Sequence, residues 1–334
     1  MPLGLLADWS SSTRSELVVL GAFPFAVGAA LAKEPITKTV LAALAGASLH
    51  WATVLVNNLT DRESDSLHPR KSDLAIVAGR ITSRQAAIAI AVTSALFLAM
   101  LLVTAPTWAV LGIFVPLAGL QVYVNIFQKR SRWMPPLAMD FLFGVTVGSP
   151  VLAYPIALKT VISTSEVLFA VTLILDAAIL NMIVGNLKDL PWDLEAGDAT
   201  TAISFGVRPD PGDEKALQVT GPYLAITSAL LMARTGLISA SAASSGRSPA
   251  WPATLVVLSL LGVGSWVRAP QRGSLVPNTR YGYLFVATNF VTLFAAALLI
   301  DGSATMFAVI AGTVVLAPIS GASVTLFQRW RPIR

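Results

Sequence analysis

Cysteine is absent from the chain, and histidine occurs only at positions 50 and 68. Without thiols, the protein has no disulfide bonds and no thiolate ligands for zinc or iron–sulfur centres. His50 and His68 are the only imidazoles that could bind a metal ion. Redox cofactors that depend on soft protein ligands are therefore not expected.

Charged residues are also scarce in this sequence. They make up 12% of the 334 residues, whereas hydrophobic residues make up 55%, and the mean hydropathy is +0.71. Soluble domains have about 25% charged residues, so we predict an all-α integral membrane protein. The formal net charge of +5 is explained by membrane topology and contact with anionic membrane lipid, and nucleic acid is not expected as a partner.

Ten apolar stretches are long enough to cross a bilayer, which takes about 17 to 25 residues each. They lie near residues 16–32, 39–57, 86–104, 107–127, 137–157, 166–187, 216–233, 251–267, 281–300 and 305–327. If the turn around Asp301 does not separate two helices, the count is nine. No change in composition marks a soluble domain, so residues 1–334 are predicted to form a single transmembrane domain.

Two acidic motifs each follow the end of a long apolar helix. The first has the pattern N-N-x-x-D-x-x-x-D over residues 57–65, and the second has D-x-x-x-D over residues 189–193. Residues four apart share a helix face, so each motif presents a polar stripe. Paired carboxylates near a region of low dielectric constant repel each other, and a divalent cation removes that penalty.

The spacing of the two motifs suggests two related four-helix halves that face one another, about residues 16–157 and 166–300, with an extra C-terminal helix near 305–327. With this arrangement, successive connections between helices are alternately rich and poor in lysine and arginine, as the positive-inside rule requires. Of the 23 basic residues, only five fall in outer connections: Lys33, Lys38, Lys159, Arg234 and Arg247. Both termini and both acidic motifs are therefore predicted to face the cytoplasm.

The spacing of the acids favours Mg²⁺ over Ca²⁺. Mg²⁺ typically takes one or two protein carboxylates and completes its shell with waters and substrate phosphates, whereas Ca²⁺ needs more oxygens from a dedicated loop. Two such sites facing each other would suit a diphosphate, whose departure the cations assist. Basic residues near the motifs could bind phosphate oxygens, although the topology rule alone also explains them; these are Arg70, Lys71, Lys129, Arg130, Arg132 and Lys188.

These motifs, taken together and in this order, resemble the two signatures of the UbiA superfamily of intramembrane prenyltransferases. The first motif is followed by Gly-Arg-Ile-Thr at residues 79–82. The second lies within Lys-Asp-Leu-Pro-Trp-Asp at residues 188–193 and is followed by Gly197, Thr201-Ala202 and Phe205-Gly206. The resemblance covers about residues 16–300. It implies a helical bundle around a central cavity that opens to the cytoplasm and to lipid, and Mg²⁺-dependent transfer of an isoprenyl group.

The resemblance also implies roles for particular residues. Mg²⁺ and the diphosphate are expected to be held by the catalytic carboxylates Asp61, Asp65, Asp189 and Asp193, with Asn57 as a supporting metal ligand. The expected substrate-binding residues are Asn57, Asn58, Arg70, Lys71, Tyr123, Lys129, Arg130, Asn181, Asn186 and Lys188. The chain departs from the family where Asn58 replaces the usual Asp and where residues 74–76 replace an Arg-Pro-Leu element.

Three other residues lie at informative positions in the predicted helices. Asp140 and Asp176 lie within spans, where polar groups usually face the bundle interior. Asp140 could orient a cation, accept a proton from an acceptor phenol, or serve at a helix terminus or in helix packing, and Asp176 is expected to be protonated or paired. Pro191 removes a helical hydrogen bond and predicts a break or kink at the second motif.

The sequence therefore predicts transfer of an isoprenyl group from a prenyl diphosphate to an aromatic or other hydrophobic acceptor, with release of diphosphate. One alternative is a UbiA-type membrane terpene cyclase, which would ionise the same substrate and quench the cation internally. Asn58 and the missing Arg-Pro-Leu element favour it. A membrane transporter is a further alternative, but transporter sites usually lie near the midplane rather than at one membrane face.

Overall fold

The computed structural model describes residues 3–14, 17–67, 72–131, 133–211, 213–246, 248–268 and 280–329. Three of the predicted phosphate-binding residues, Arg70, Lys71 and Arg132, lie outside these ranges, as does His68. Within these ranges the regular secondary structure is helical apart from one antiparallel pair of strands.

The chain divides into two compact units. The first comprises Met1–Ile126, Ala153–Thr160 and Ala304–Arg334, and the second comprises Phe127–Leu152 and Val161–Ser303. These bounds differ from the predicted halves, because the greater part of the fifth predicted span belongs to the second unit and the C-terminal helix belongs to the first. A repeat relationship between two halves stays a prediction.

The first unit contains most of the N-terminal helices. These are α1 (Leu3–Ser12), α2 (Val18–Leu31), α3 (Ile36–Thr60), α4 (Arg62–Leu67), α5 (Ser83–Thr104), α6 (Thr107–Ala109) and α7 (Val115–Phe127), whose last residue enters the second unit. A π-helical segment, Val110–Phe114, joins α6 to α7.

The remaining elements follow in order. They are α8 (Pro136–Gly148), α9 (Pro150–Ala157), α10 (Thr164–Leu180), α11 (Asn186–Ala196), α12 (Thr201–Ser204), β1 (Arg208–Asp210), β2 (Asp213–Gln218), α13 (Gly221–Ser244), α14 (Ala250–Arg268), α15 (Arg280–Ile300) and α16 (Ala304–Arg329). A second π-helical segment, Asn181–Gly185, lies between α10 and α11. In the hairpin, Arg208 pairs with Gln218 and the register shifts between Pro209 and Asp210.

Each of the ten predicted apolar stretches overlaps at least one helix, although 107–127, 137–157 and 166–187 extend over more than one helical segment and 216–233 begins in β2. By length and composition, six helices of the described chain can cross a membrane, or seven if α8 and α9, which are bent by 45°, form one span. Three shorter apolar helical segments are α2 (Val18–Leu31), Leu284–Ile300 within α15 and Ala304–Leu316 within α16. The predicted all-α membrane fold is confirmed, whereas the count of nine to ten spans and the central cavity stay predictions.

Large apolar side chains are exposed along α5. They include Ile88, Val92, Leu96, Leu102 and Val103, each more than two fifths exposed. A soluble monomer rarely exposes so continuous an apolar surface. This helix therefore presents a face suited to lipid, in agreement with an integral membrane protein.

Closely packed glycines explain why α8 belongs to the second unit. A Cβ atom at Gly144 would lie 2.2 Å from the Ile174 carbonyl oxygen, and one at Gly148 would lie 2.7 Å from the Ile174 backbone nitrogen. Such a small-xxx-small pattern lets two membrane helices approach at backbone distance. α8 is thus packed against α10, the helix that leads to the second acidic motif.

Arg234 was predicted in an outer connection, and this is wrong. It lies inside α13 and is 1% exposed. Its Nε atom donates to Asp176 Oδ1 at 3.0 Å, Nη1 to Ser259 Oγ at 3.1 Å, and Nη2 to the Asn289 carbonyl oxygen at 3.0 Å. A charge is tolerated at such a buried position when it is paired and hydrogen-bonded. The helix therefore continues past Arg234 to Ser244, whereas the predicted apolar stretch ended at residue 233. Of the two expectations for Asp176, pairing is observed.

Pro191 was expected to break or kink the helix at the second motif; a break is not observed, and a kink stays a prediction. α11 continues through Pro191 from Asn186 to Ala196. The departure from α-helical geometry occurs just upstream, in the π-helical segment of residues 181–185. Gly197 ends α11 in a left-handed conformation, with φ of 72°, which glycine adopts without steric cost.

Candidate active site

The second acidic motif lies on α11 in the second unit. Asp189 and Asp193 are both buried, and their separation of four residues places them on one helix face. Lys129 Nζ donates to Asp193 Oδ1 at 2.6 Å, and the Lys129 carbonyl oxygen accepts from the Ala199 backbone nitrogen at 2.9 Å. The structure thus brings a predicted phosphate-binding lysine directly to a predicted metal ligand.

A single carboxylate, Asp140 on α8, lies at the centre of the polar contacts in this unit. It is 1% exposed. Its Oδ1 accepts from Asn181 Nδ2 at 2.6 Å and from Gln128 Nε2 at 3.4 Å. Its Oδ2 accepts from Thr201 Oγ1 at 2.5 Å and from Asn186 Nδ2 at 3.3 Å. Four neutral donors therefore surround one buried carboxylate.

This network gives the two predicted asparagines partners that the sequence did not suggest. Asn181 and Asn186 were expected to bind substrate, which stays a prediction, and their amide nitrogens donate to Asp140. Gln128 and Thr201 were not predicted as site residues. The available signal was position, because Gln128 directly precedes Lys129 and Thr201 belongs to the segment that carries the family resemblance.

The first acidic motif lies at the end of α3 in the first unit. The Asp61 backbone nitrogen donates to the Asn57 carbonyl oxygen at 2.8 Å, and the Asp65 nitrogen donates to the Asp61 carbonyl oxygen at 2.7 Å. These bonds continue a helical spacing from α3 into the short α4. Asp61 and Asp65 are both buried, and each remains a predicted metal ligand.

Asn58, where the family usually has Asp, holds the end of α1. Its side chain is fully buried, and Nδ2 donates to the Ser12 carbonyl oxygen at 2.6 Å. A carboxylate has no hydrogen to donate and would repel a carbonyl oxygen, so this contact requires the amide. The structure therefore explains the departure at residue 58 by packing in the first unit, and a role in substrate binding stays a prediction.

The Gly-Arg-Ile-Thr element at residues 79–82 connects the first motif to α5. Gly79 adopts a positive φ of 74°, a conformation that glycine accepts readily. Thr82 then starts α5 with a capping box, in which its side chain accepts from the Gln85 backbone nitrogen and the Gln85 side chain accepts in return. The local sequence thus dictates where this loop ends.

Arg80, in the same element, binds two carboxylates. Its Nε donates to Asp8 Oδ1 at 3.2 Å, and its Nη1 donates to Asp73 Oδ1 at 2.9 Å. Arg80 thereby joins α1 to the loop that precedes α5. Sequence reasoning had assigned it only to the family signature.

The other predicted residues are spread over the two units. Tyr123 is half-buried on α7 in the first unit, whereas Lys188 is half-buried on α11 and Arg130 is exposed after α7, both in the second unit. Their predicted roles in substrate binding stay predictions. His50 lies on α3, with Nε2 3.5 Å from the Arg14 carbonyl oxygen.

The donor atoms of the two motifs suit Mg²⁺. Among the described residues, no group of three or more His, Cys, Asp or Glu side chains lies close enough to hold a metal ion by itself. Each motif instead offers two buried carboxylates four residues apart. Because Mg²⁺ is commonly bound by one or two carboxylates together with substrate phosphates, these pairs fit an ion that binds together with a diphosphate.

Comparisons with solved structures give the same fold. A UbiA homologue from Aeropyrum pernix K1 aligns over 85% of this chain and 98% of its own, with a TM-score of 0.63 and 21% identity. Digeranylgeranylglyceryl phosphate synthase aligns over 89% and 99%, with a TM-score of 0.64 and 16% identity. A UbiA homologue from Archaeoglobus fulgidus, solved with GPP and Mg²⁺, aligns over 91% and 99%, with a TM-score of 0.62 and 18% identity.

A sequence comparison with curated proteins gives no match. The family model described as UbiA prenyltransferase family matches residues 21–289. The match begins in α2, ends in α15 and includes both acidic motifs, the Gly-Arg-Ile-Thr element and the Asp140 network. Because it covers more than half of the 334 residues, the chain belongs to the UbiA prenyltransferase family.

Proposed function

We propose that this protein transfers an isoprenyl group, within the membrane, from a prenyl diphosphate to an aromatic or other hydrophobic acceptor, and releases diphosphate in an Mg²⁺-dependent reaction. Membership of the UbiA prenyltransferase family, with both acidic motifs present, carries the proposal. Homologues from Archaeoglobus fulgidus that share the fold have been solved with GPP and Mg²⁺ and with DMAPP and Mg²⁺. We extend the ligand class of those proteins to this chain.

The proposed ligands for Mg²⁺ are Asp61, Asp65, Asp189 and Asp193, supported by Asn57. When bound, Mg²⁺ would neutralise the diphosphate and make it a better leaving group. Lys129 already neutralises Asp193 across 2.6 Å. It is therefore positioned to turn to a phosphate oxygen when a cation takes over that carboxylate.

The spanning helices supply the other requirement of the reaction, which is exclusion of water. Cleavage of the carbon–oxygen bond of a prenyl diphosphate develops an allylic cation that water would quench. An aromatic or other hydrophobic acceptor and the prenyl tail both dissolve in lipid. A site in the helical membrane domain can thus receive both from the bilayer.

Pyrophosphate release and product mass test the proposal in purified protein in lipid nanodiscs. The assay supplies Mg²⁺ and prenyl diphosphates of increasing length, with an acceptor mixture added or withheld. The proposal expects release that requires an acceptor and gives a product heavier by one prenyl unit. Release without acceptor, with a hydrocarbon or terpene alcohol as product, would establish a cyclase. Absence of release with every donor would favour the transporter.

We further propose that both motifs face the cytoplasm, because the predicted inner segments carry most of the lysine and arginine. The absence of native cysteine allows single-cysteine labelling without background. Two positions are suited to it. Ser66 lies in α4 near the first motif, and Val161 lies in the loop before α10 and is 96% exposed. An impermeant maleimide should label Val161→Cys in intact cells and Ser66→Cys only in inverted vesicles. The reverse pattern would overturn the orientation.

A further inference from the structure

The π-helical segment between α10 and α11 has its two ends joined to the same carboxylate. Asn181, the first residue of the segment, donates to Asp140 Oδ1, and Asn186, the residue directly after it, donates to Oδ2. Residues five apart on an α-helix of 3.6 residues per turn point about 140° apart. The i to i+5 hydrogen bonding of a π-helix brings them closer to one face. The π geometry thus favours the approach of both asparagines to Asp140.

Two further contacts match the π geometry. The Tyr223 hydroxyl donates to the Met182 carbonyl oxygen at 2.6 Å, which supplies a donor where the regular α-helical ladder is replaced. At Gly185, a Cβ atom would lie 2.7 Å from Asn181 Oδ1. Any larger residue at position 185 would push the Asn181 amide away from its present place.

The segment determines how the second motif is presented. Asn186 precedes Asp189 by three residues and shares its helix face, so the bond to Asp140 fixes the rotation of the first turn of α11. Gln128 and Lys129 are consecutive, and Gln128 donates to Asp140 while Lys129 donates to Asp193. The Asp189 end of the motif is thus linked to Asp140 through Asn186, and the Asp193 end is linked to it through the consecutive residues Lys129 and Gln128.

From this arrangement we infer that Asp140 is a positioning residue, which holds the π-helical register and thereby aims the Asp189 and Asp193 carboxylates at Mg²⁺ and diphosphate. Asp140 contacts neither the metal nor the substrate in this scheme. Asn181 and Asn186 likewise act by transmitting its position. The inference rests on the proposed function and adds a specific means by which one motif is organised.

Asp140→Asn is the sharpest single change. A carboxylate accepts through two oxygens, whereas an amide has one oxygen and an NH₂ group that would face at least one of the present donors. Because loss of a residue that orients metal ligands typically lowers metal affinity or activity about 10- to 100-fold, the Mg²⁺ concentration for half-maximal pyrophosphate release should rise by about that factor. Excess Mg²⁺ should restore most of the maximal rate, which it would not do for misfolded protein.

Gly185→Ala tests the register by a route that alters no polar side chain. It should raise the Mg²⁺ requirement in the same direction as Asp140→Asn. Thr146→Val is the matched control, since Thr146 is buried on α8 and, among the described residues, its hydroxyl donates to the Phe143 carbonyl oxygen of the same helix. This variant should keep the wild-type Mg²⁺ requirement.

A binding measurement separates the inference from turnover. Thermal unfolding is followed with a non-cleavable prenyl thiolodiphosphate at increasing Mg²⁺ concentrations. Stabilisation of Asp140→Asn and Gly185→Ala should require about 10-fold or more Mg²⁺ than wild type. Equal Mg²⁺ dependence of wild type and both variants, even with a lower melting temperature, would overturn the inference and leave the proposed function intact. Wild-type protein that neither releases pyrophosphate nor gains stability from the probe would overturn both.

Discussion

The two acidic motifs of this protein are held by different means. In the second unit, side chains from the π-helical segment, α11, α12 and the residue after α7 converge on the buried carboxylate of Asp140 on α8. In the first unit, backbone hydrogen bonds carry the motif from α3 into α4, and Asn58 and Arg80 attach α1 and the following loop. Preorganised polar side chains and local helix geometry are thus two solutions to presenting paired carboxylates.

The largest expected effect is loss of turnover when one carboxylate of either motif is removed. If both motifs hold Mg²⁺, Asp61→Asn and Asp189→Asn should each lower the rate of prenyl transfer by about 1,000-fold or more, because several kcal/mol of charge stabilisation are lost. Pyrophosphate release measures both variants.

Glu34→Gln is the control for a carboxylate-to-amide change outside the motifs, since Glu34 forms an ion pair with the partly exposed Lys38. Such pairs contribute little to stability. A normal rate in Asp61→Asn with a lost rate in Asp189→Asn would show that only the second motif carries the reaction.

The stability of the second unit should depend on a buried ion pair, Asp176 with Arg234. Arg234→Ala leaves the Asp176 carboxylate without its partner inside the helices. We expect it to lower the free energy of unfolding by about 3–5 kcal/mol, as is typical when one member of a buried ion pair is removed. Denaturant or thermal unfolding in detergent measures the loss. Replacement of both residues, as Asp176→Leu with Arg234→Met, should recover much of it. Equal stability of Arg234→Ala and wild type would contradict the buried pair.

Glycine contacts offer a comparison of the helix packing in each unit. A Cβ at Gly144 would lie 2.2 Å from the Ile174 carbonyl oxygen, and one at Gly46 would lie 2.5 Å from the Gly21 carbonyl oxygen. Because both obstacles are backbone atoms, Gly144→Ala and Gly46→Ala should each destabilise the protein by about 1–3 kcal/mol. Gly236→Ala on α13, where a Cβ meets no atom within 4 Å, is the control. Unchanged melting temperatures in both test variants would contradict the close helix approach.

An effect of similar size is expected at Asn58. Asn58→Asp removes the donor to the Ser12 carbonyl oxygen and should destabilise the first unit by about 1–3 kcal/mol through an unsatisfied buried acceptor. Protection of α1 from hydrogen exchange should fall, whereas the second unit should be unaffected. If the variant instead shows greater Mg²⁺ affinity with no change in α1, residue 58 belongs to the metal site rather than to helix packing.

The sequence predicted the helices well because their apolar stretches are long and continuous. The limits of α3 and α5 follow from Pro35 at the cap of α3 and from the Thr82 capping box of α5. Arg234 was misplaced because its charge was taken as the end of the apolar stretch, whereas α13 continues to Ser244. Its partner, Asp176, is 58 residues away in the chain, and hydropathy contains no information about such pairing.

Determined by sequence alone were the membrane class, the helical segments and the two acidic motifs, since each depends on local composition or on spacing along one helix. Tertiary structure alone decided the hydrogen bonds to Asp140, the π-helical register and the Asn58 contact with α1. Asp140 accepts from side chains that are 12 to 61 residues away in the chain, and Asn58 donates to a backbone carbonyl oxygen 46 residues away. Hydrogen bonds of this kind form only when helix packing has brought the donors and acceptors together.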